Sequence, residues 1–140
     1  METKFDITFP GDKKVDAHFW GFTIQSDQPL EDGGDNTKPS PFEYFLASIG
    51  MCAGFYVLSF CQSRSLLTDN IQMTQTVIRN DATHQVEKIT INILLPLDFP
   101  EKYKSAVIKA AQSCSVKKFL DAPPEIRINT MTQEKAVSVS

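Results

Sequence analysis

Polar and apolar residues alternate through Lys4, Phe5, Asp6, Ile7, Thr8 and Phe9, the period-2 signature of a half-buried strand over residues 3–9. Pro10-Gly11-Asp12 punctuates this run as a turn. Residues 15–19 and 21–25 predict two further short strands, so the N-terminal part reads as a β-meander. Residues 26–40 are polar and rich in Asp, Gly and Pro, a loop. The pattern then changes. Ser40 is placed to cap a helix, Pro41 stands at its first position and Glu43 at its third, a capping box with proline where its missing N–H costs nothing. From Tyr44 to Ser63 no residue is charged, and the run predicts a long central helix ending near Arg64, apolar all round and so surrounded by protein. Residues 71–79 and 86–95 alternate again as strands on either side of a turn at Asn80-Asp81, and Pro96 closes the second. Residues 100–113 have helical spacing, with Tyr103, Val107, Ala110 and Ala111 on one face, and a short helix starts at Ser115 and is stopped by Ala122-Pro123-Pro124. Residues 125–131 and 136–139 are expected as final strands. The order predicts one α+β domain over residues 1–140 with mainly antiparallel pairing.

The charge-free run is long enough to span a bilayer, and Gly50 and Gly54 have the spacing of membrane helix pairs. Ser48, Ser59, Gln62 and Ser63 lie within it, no basic cluster flanks it and no second span follows. A buried central helix is therefore expected, with no membrane partner. Charge narrows the partners further. Residues 1–70 hold 5 Lys and Arg against 10 Asp and Glu, and residues 71–140 hold 9 against 7. Neither half has a basic run, so no nucleic-acid partner is expected. The N-terminus lacks the apolar stretch of a secretory signal, which points to the cytoplasm, where thiols stay reduced.

Three cysteines in 140 residues are too few for a disulfide scaffold. Their number is odd, so at least one does not pair within the chain. Cys52 lies mid-helix between Gly50 and Gly54, and each glycine costs the helix about 1 kcal/mol relative to alanine. The two explanations are tight packing around a small buried thiol and close approach of another backbone or a ligand. Cys114 precedes Ser115-Val116-Lys117-Lys118. It is either a half-buried turn cysteine or a thiol at a helix N-terminus, where orphan N–H groups favour thiolate. Cys61 is nine residues, or about 900°, beyond Cys52, so it faces the opposite side of the helix and reads as core. His18 and His84 are isolated and no CxxC occurs, so no metal site is expected.

The run Lys38-Pro39-Ser40-Pro41-Phe42-Glu43-Tyr44-Phe45-Leu46-Ala47-Ser48-Ile49-Gly50-Met51-Cys52, followed 62 residues after Cys52 by Cys114-Ser115-Val116, resembles the OsmC/Ohr family of osmotically inducible and organic hydroperoxide resistance proteins, in its OsmC-like branch. The resemblance implies an α+β fold with antiparallel sheets around the long helix, in an intertwined homodimer with two equivalent sites at the subunit interface. It implies a thiol peroxidase that protects against oxidative stress, with Cys52, Cys114 and Glu43 as catalytic residues. Cys52 would attack a small organic hydroperoxide and become a sulfenic acid, Cys114 would resolve it as a disulfide, and a dithiol or lipoyl-type reductant would restore both, with no bound cofactor. The family's N-terminal arginine has no counterpart, since the arginines are Arg64, Arg79 and Arg127. Lys13 or Lys14 is left as the substitute, without arginine's planar fork. From the residues alone, Glu43 has its role in the capping box. The alternative function is a non-catalytic module of this fold that binds a small apolar or electrophilic ligand.

Overall fold

The computed structural model describes residues 1–133. Two antiparallel sheets flank a long helix in sequence. The first sheet has strands β1 (Asp6–Gly11), β2 (Lys14–Phe19) and β3 (Phe22–Ser26) in that spatial order. The hairpin between β1 and β2 turns at Asp12-Lys13, one step later than expected, and Pro10 lies inside β1. The ladder slips between Thr8 and Gly11, on an edge strand, where a proline that cannot donate is tolerated. Trp20-Gly21 joins β2 to β3 with both φ angles positive, 47° and 80°, the handedness a two-residue hairpin needs.

Strand alternation sorts this sheet into two faces. Thr8, His18 and Thr23 share one face, where both imidazole nitrogens of His18 meet threonine hydroxyls, at 2.9 Å and 3.1 Å. Ile7, Ala17 and Ile24 are aligned on the other face. Phe5, Phe19 and Phe22 extend that face, with ring centroids 4.5 Å and 5.8 Å apart. Ile7, Phe9 and Phe22 are all exposed.

The loop after β3 is built around one acid. Asp27 is fully buried and accepts from the Gln28 N–H (2.8 Å), the Thr37 N–H (3.1 Å) and the Thr37 hydroxyl (2.7 Å). Its own N–H donates to the Pro39 carbonyl, so the two ends of the loop are tied together just ahead of Ser40. Lys14 adds positive charge at 3.9 Å and donates to Asp35 at 3.0 Å. The sequence signals read residues 26–40 as a plain polar loop. They missed that one of its aspartates replaces water by an internal set of donors, which is what a buried carboxylate requires.

Helix α1 (Pro41–Ser63) begins as the capping box predicts. The Glu43 N–H donates to the Ser40 hydroxyl at 3.3 Å, and the Ser40 hydroxyl donates to the Glu43 carboxylate at 3.1 Å. The helix is not enclosed on all sides. Leu46, Ile49, Ala53, Val57 and Cys61 form its buried stripe, whereas Met51, Phe55 and Leu58 are exposed in the chain by itself. A charge-free sequence reports total hydrophobicity, and it cannot tell a stripe covered by the same chain from one left open.

Strands β4 (Gln72–Arg79) and β5 (Val86–Leu94) form the second sheet. The expected helix over residues 100–113 divides into a short 3-10 turn, Glu101–Tyr103, and α2 (Lys104–Gln112). Helix α3 (Ser115–Asp121) follows. Val57 and Cys61 of α1 pack with Phe99 and with Val107 of α2, and Met73, Ile93 and Tyr103 close over this core. Residues 125–131 form no strand, contrary to expectation. No ladder partner lies beside them among the described residues, and Ile126, Ile128 and Met131 are exposed. The strand expected over residues 136–139 lies outside the described residues.

Asp27 gives this fold a pH dependence. Its carboxyl is held well below the usual carboxylate range, first by the Thr37 hydroxyl and then by the Gln28 and Thr37 N–H groups, which together outweigh its burial. A depressed folded-state value stabilises the fold above the unfolded value of about 3.9 and ceases to do so as pH falls through the folded one. Asp27→Asn is therefore expected to lower the thermal midpoint at pH 7 and to flatten its decline below about pH 4. Thermal denaturation followed by circular dichroism across pH measures both; an unchanged midpoint at pH 7 contradicts the assignment.

Candidate active site

Residues of α1 and α3 meet at two sulfurs. Cys52 sits half-buried in the fourth turn of α1, and Cys114 is the fully buried residue at the N-cap of α3. The Cys114 side chain makes no capping bond, so the first peptide N–H groups of α3 are free for another acceptor. Cys52 is one group that they act on. Its thiol is lowered chiefly by the Val116 N–H, against the opposing effect of burial, and further by the Cys114 thiol and by the N–H and hydroxyl of Ser115. Cys114 moves the other way. Burial raises it first, and its hydrogen bond to Cys52 raises it again. Its Sγ also faces the Ile49 carbonyl at 3.9 Å. The pair is thus unequal, with the charged form favoured on Cys52 and the neutral form on Cys114, and no disulfide joins them.

The placement corrects the expectation for Cys114. A helix does begin at Ser115, and its N–H groups favour the charged form of both sulfurs, Val116 and Ser115 acting on Cys52, and Lys117 and Val116 on Cys114, where burial outweighs them. The N-cap side chain is drawn into the core, where burial favours its neutral thiol. Sequence adjacency cannot distinguish these two recipients.

The glycines also have a different task. A Cβ on Gly50 would lie 2.5 Å from the Gln75 side-chain oxygen, and one on Gly54 would meet the Met73 sulfur at 3.8 Å. Gln75 Nε2 donates to the Leu46 carbonyl at 2.9 Å. The close approach at Gly50 is therefore that of strand β4. Cys52 is 200° around the helix from either glycine and faces α3. Cys61 is in the core with Val57, Phe99 and Val107, and burial pushes its thiol up although Arg64 partly offsets this.

Glu43 is not brought to the thiols within the chain. Nine residues of helix place it about 13 Å along the axis from Cys52 and on the opposite face. It faces a separate cleft that it shares with Arg79 and His84. The arginines and the two lysines of the β1–β2 hairpin have other neighbours. Lys14 is held among Asp12, Asp27 and Asp35, and Lys13 lies over Gly33. Arg64 lies 3.7 Å over the Phe60 ring, Arg79 donates to the His84 carbonyl, and Arg127 pairs with Glu125. Within the chain, the groups that act most on the Cys52 sulfur are peptide N–H groups and neutral side chains.

An apolar cleft of about 610 Å³ adjoins the pair on the Cys114 side, lined by Ile49, Ala53, Ile91, Ile108, Cys114 and Leu120. Two contributors escaped the sequence reading. Val116 acts through its backbone, for which no residue signal exists. Tyr56 places its hydroxyl 3.2 Å from the Ser115 hydroxyl. Its spacing of four residues from Cys52 on one helix face was the available clue.

No group of three or more potential metal ligands occurs among the described residues. The chemistry the pair can perform is that of two unlike thiols, one nucleophilic and one held in reserve. Alkylation with iodoacetamide is expected to label Cys52 at lower pH than Cys114 and Cys61. Peptide mass spectrometry resolves the three sites, and a Cys114 that reacts first contradicts the arrangement.

Residues 33–129 match the family described as OsmC-like protein. No curated protein sequence matches the chain. Among solved structures, the fold is shared with a Psychrobacter arcticus 273-4 protein named for osmotic stress induction and a detoxification response. That structure has a TM-score of 0.71 at 18% identity, covering 84% of this chain and 88% of the other. An OsmC-like protein of Mycoplasma pneumoniae aligns with a TM-score of 0.63 at 17% identity, over 88% and 91% of the two chains. An organic hydroperoxide resistance protein OsmC of Legionella pneumophila gives 0.56 at 15%, over 87% and 90%. These likenesses establish the fold, α+β with antiparallel sheets and a long helix. With the family match over 33–129, they identify the chain whose two cysteines meet at the start of α3 as a member of the OsmC family.

Proposed function

We propose that this protein is a thiol-dependent peroxidase for organic hydroperoxides. The observation that carries the reading is the asymmetry of the cysteine pair. Residues 62 positions apart in sequence are brought together so that one sulfur is favoured as thiolate and its partner as thiol. The Cys52 thiolate attacks the distal oxygen of the hydroperoxide. The O–O bond breaks, the alkoxide takes up a proton as the alcohol, and Cys52 becomes a sulfenic acid. Cys114 then attacks the Cys52 sulfur. The S–S bond forms and hydroxide leaves as water with the Cys114 proton. An external dithiol, such as a lipoyl-type reductant, returns both cysteines to the thiol state. Family membership and the name of the Legionella relative support a peroxide-related role.

The active unit in this reading is a homodimer in the cytoplasm. The exposed apolar face of β1–β3 and the open side of α1 at Met51, Phe55 and Leu58 support a second copy, because a chain with both surfaces in water forfeits their burial. Glu43 enters the site in this reading only across such an interface. The isoleucine-lined cleft beside Cys114 favours a second reading, an apolar-ligand module without turnover.

Consumption of cumene or t-butyl hydroperoxide with excess dithiol separates the two. Cys52→Ser is expected to fall to the uncatalysed rate. Cys114→Ser is expected to consume about one peroxide per chain without reductant and to form no internal disulfide. An unchanged rate in Cys52→Ser rejects the peroxidase reading. Saturable binding of an apolar ligand without peroxide loss establishes the other.

A further inference from the structure

The Cys52 sulfur has no side-chain cation among the groups that act on it most, yet a nucleophilic thiolate needs its charge balanced. Helix α1 carries no charged residue between Glu43 and Arg64. On α3, Lys117 is drawn to Asp121 at 3.3 Å, Lys118 is exposed, and Cys114 is the other titratable group at the sulfur. What the two helices bring together within one turn of Cys52 is a pair of hydroxyls. Ser115 opens α3 directly after Cys114, and its hydroxyl lies 3.2 Å from that of Tyr56, one turn beyond Cys52 on α1.

We propose that Tyr56 and Ser115 are positioning residues that form a directed hydrogen-bond chain, Tyr56 to Ser115 to the Cys52 sulfur, and take the place of a cation in holding the attacking thiolate. A thiolate only accepts, so the Ser115 O–H must point at the sulfur when Cys52 is ionised. The Ser115 oxygen is then free to accept from the Tyr56 phenol, the stronger acid of the two hydroxyls. Ionisation of Cys52 thus aligns both bonds, and each polarises the next. Protonation of Cys52 removes the requirement, and the Tyr56–Ser115 bond can run either way. The inference rests on the peroxidase reading only for the use to which the thiolate is put. The chain itself is a property of the resting protein.

The experiment follows carbamidomethylation of Cys52 in the reduced full-length protein by peptide mass spectrometry, between about pH 5 and 10, which brackets the ordinary thiol range. Ser115→Ala is expected to raise the midpoint for Cys52 by about one pH unit, slowing labelling about tenfold below the midpoint. Tyr56→Phe, a smaller change that keeps the ring, is expected to shift it in the same direction by less. The double variant is expected to shift no further than Ser115→Ala, because Tyr56 acts through Ser115. Ser115→Thr, which keeps the hydroxyl, is expected to restore the parent value. A midpoint unmoved in both single variants overturns the proposal, and so does an additive double variant. Peroxide turnover separates the two readings: a moved midpoint without turnover rejects peroxidase function and upholds the chain, whereas turnover with an unmoved midpoint does the opposite.

Discussion

A helix that starts without a side-chain cap has donors to place, and in this protein a sulfur on another helix receives them. Cys114 stands at the N-cap of α3 and turns its thiol into the core, and the Ser115 and Val116 N–H groups also act on Cys52. That one arrangement fixes where α3 sits against α1. It also sets the two thiols apart in acidity, since donors around Cys52 favour its charged form while burial and the hydrogen bond given to Cys52 keep Cys114 protonated. Structure and electrostatics coincide at this contact: N–H groups that a helix end must satisfy also favour the charged form of Cys52.

The rest of the chain serves that contact through a few local devices. The buried carboxylate of Asp27 ties the loop ahead of α1, and the Ser40–Glu43 box sets the helix's first turn. Gly50 lets β4 approach closely enough for Gln75 to reach the Leu46 carbonyl. Val57 and Cys61 anchor the far half of the helix against α2. Cys52 is thereby presented from a helix held on one face by β4 and on another by α2 and α3.

The same economy leaves apolar surface open. The aromatic and isoleucine face of the first sheet, and Met51, Phe55 and Leu58 on α1, are too extensive for a chain of this size to leave in water without a purpose. Glu43 lies on the side of α1 away from the cysteines, in a cleft with Arg79 and His84. Its capping role is complete within one chain, whereas any role at a thiol is not.

Sequence alone determined the elements whose causes are local. Ser40, Pro41 and Glu43 start a helix because the capping bonds span three residues. Alternation over Thr8, Phe9 and their neighbours makes a strand because side chains on a pleated backbone have a period of two. The spacing of Cys52 and Cys114 was informative only through resemblance to a family. What the tertiary structure decided is which donor meets which acceptor. It brought the α3 N–H groups to Cys52 as well as to Cys114, gave Gly50 to Gln75 instead of to the thiol, and drew Lys14 into an acidic loop. It also left residues 125–131 without a ladder. Each of these turns on a partner remote in sequence, and the free energy of a hydrogen bond or a burial depends on that partner's position, which no local pattern encodes.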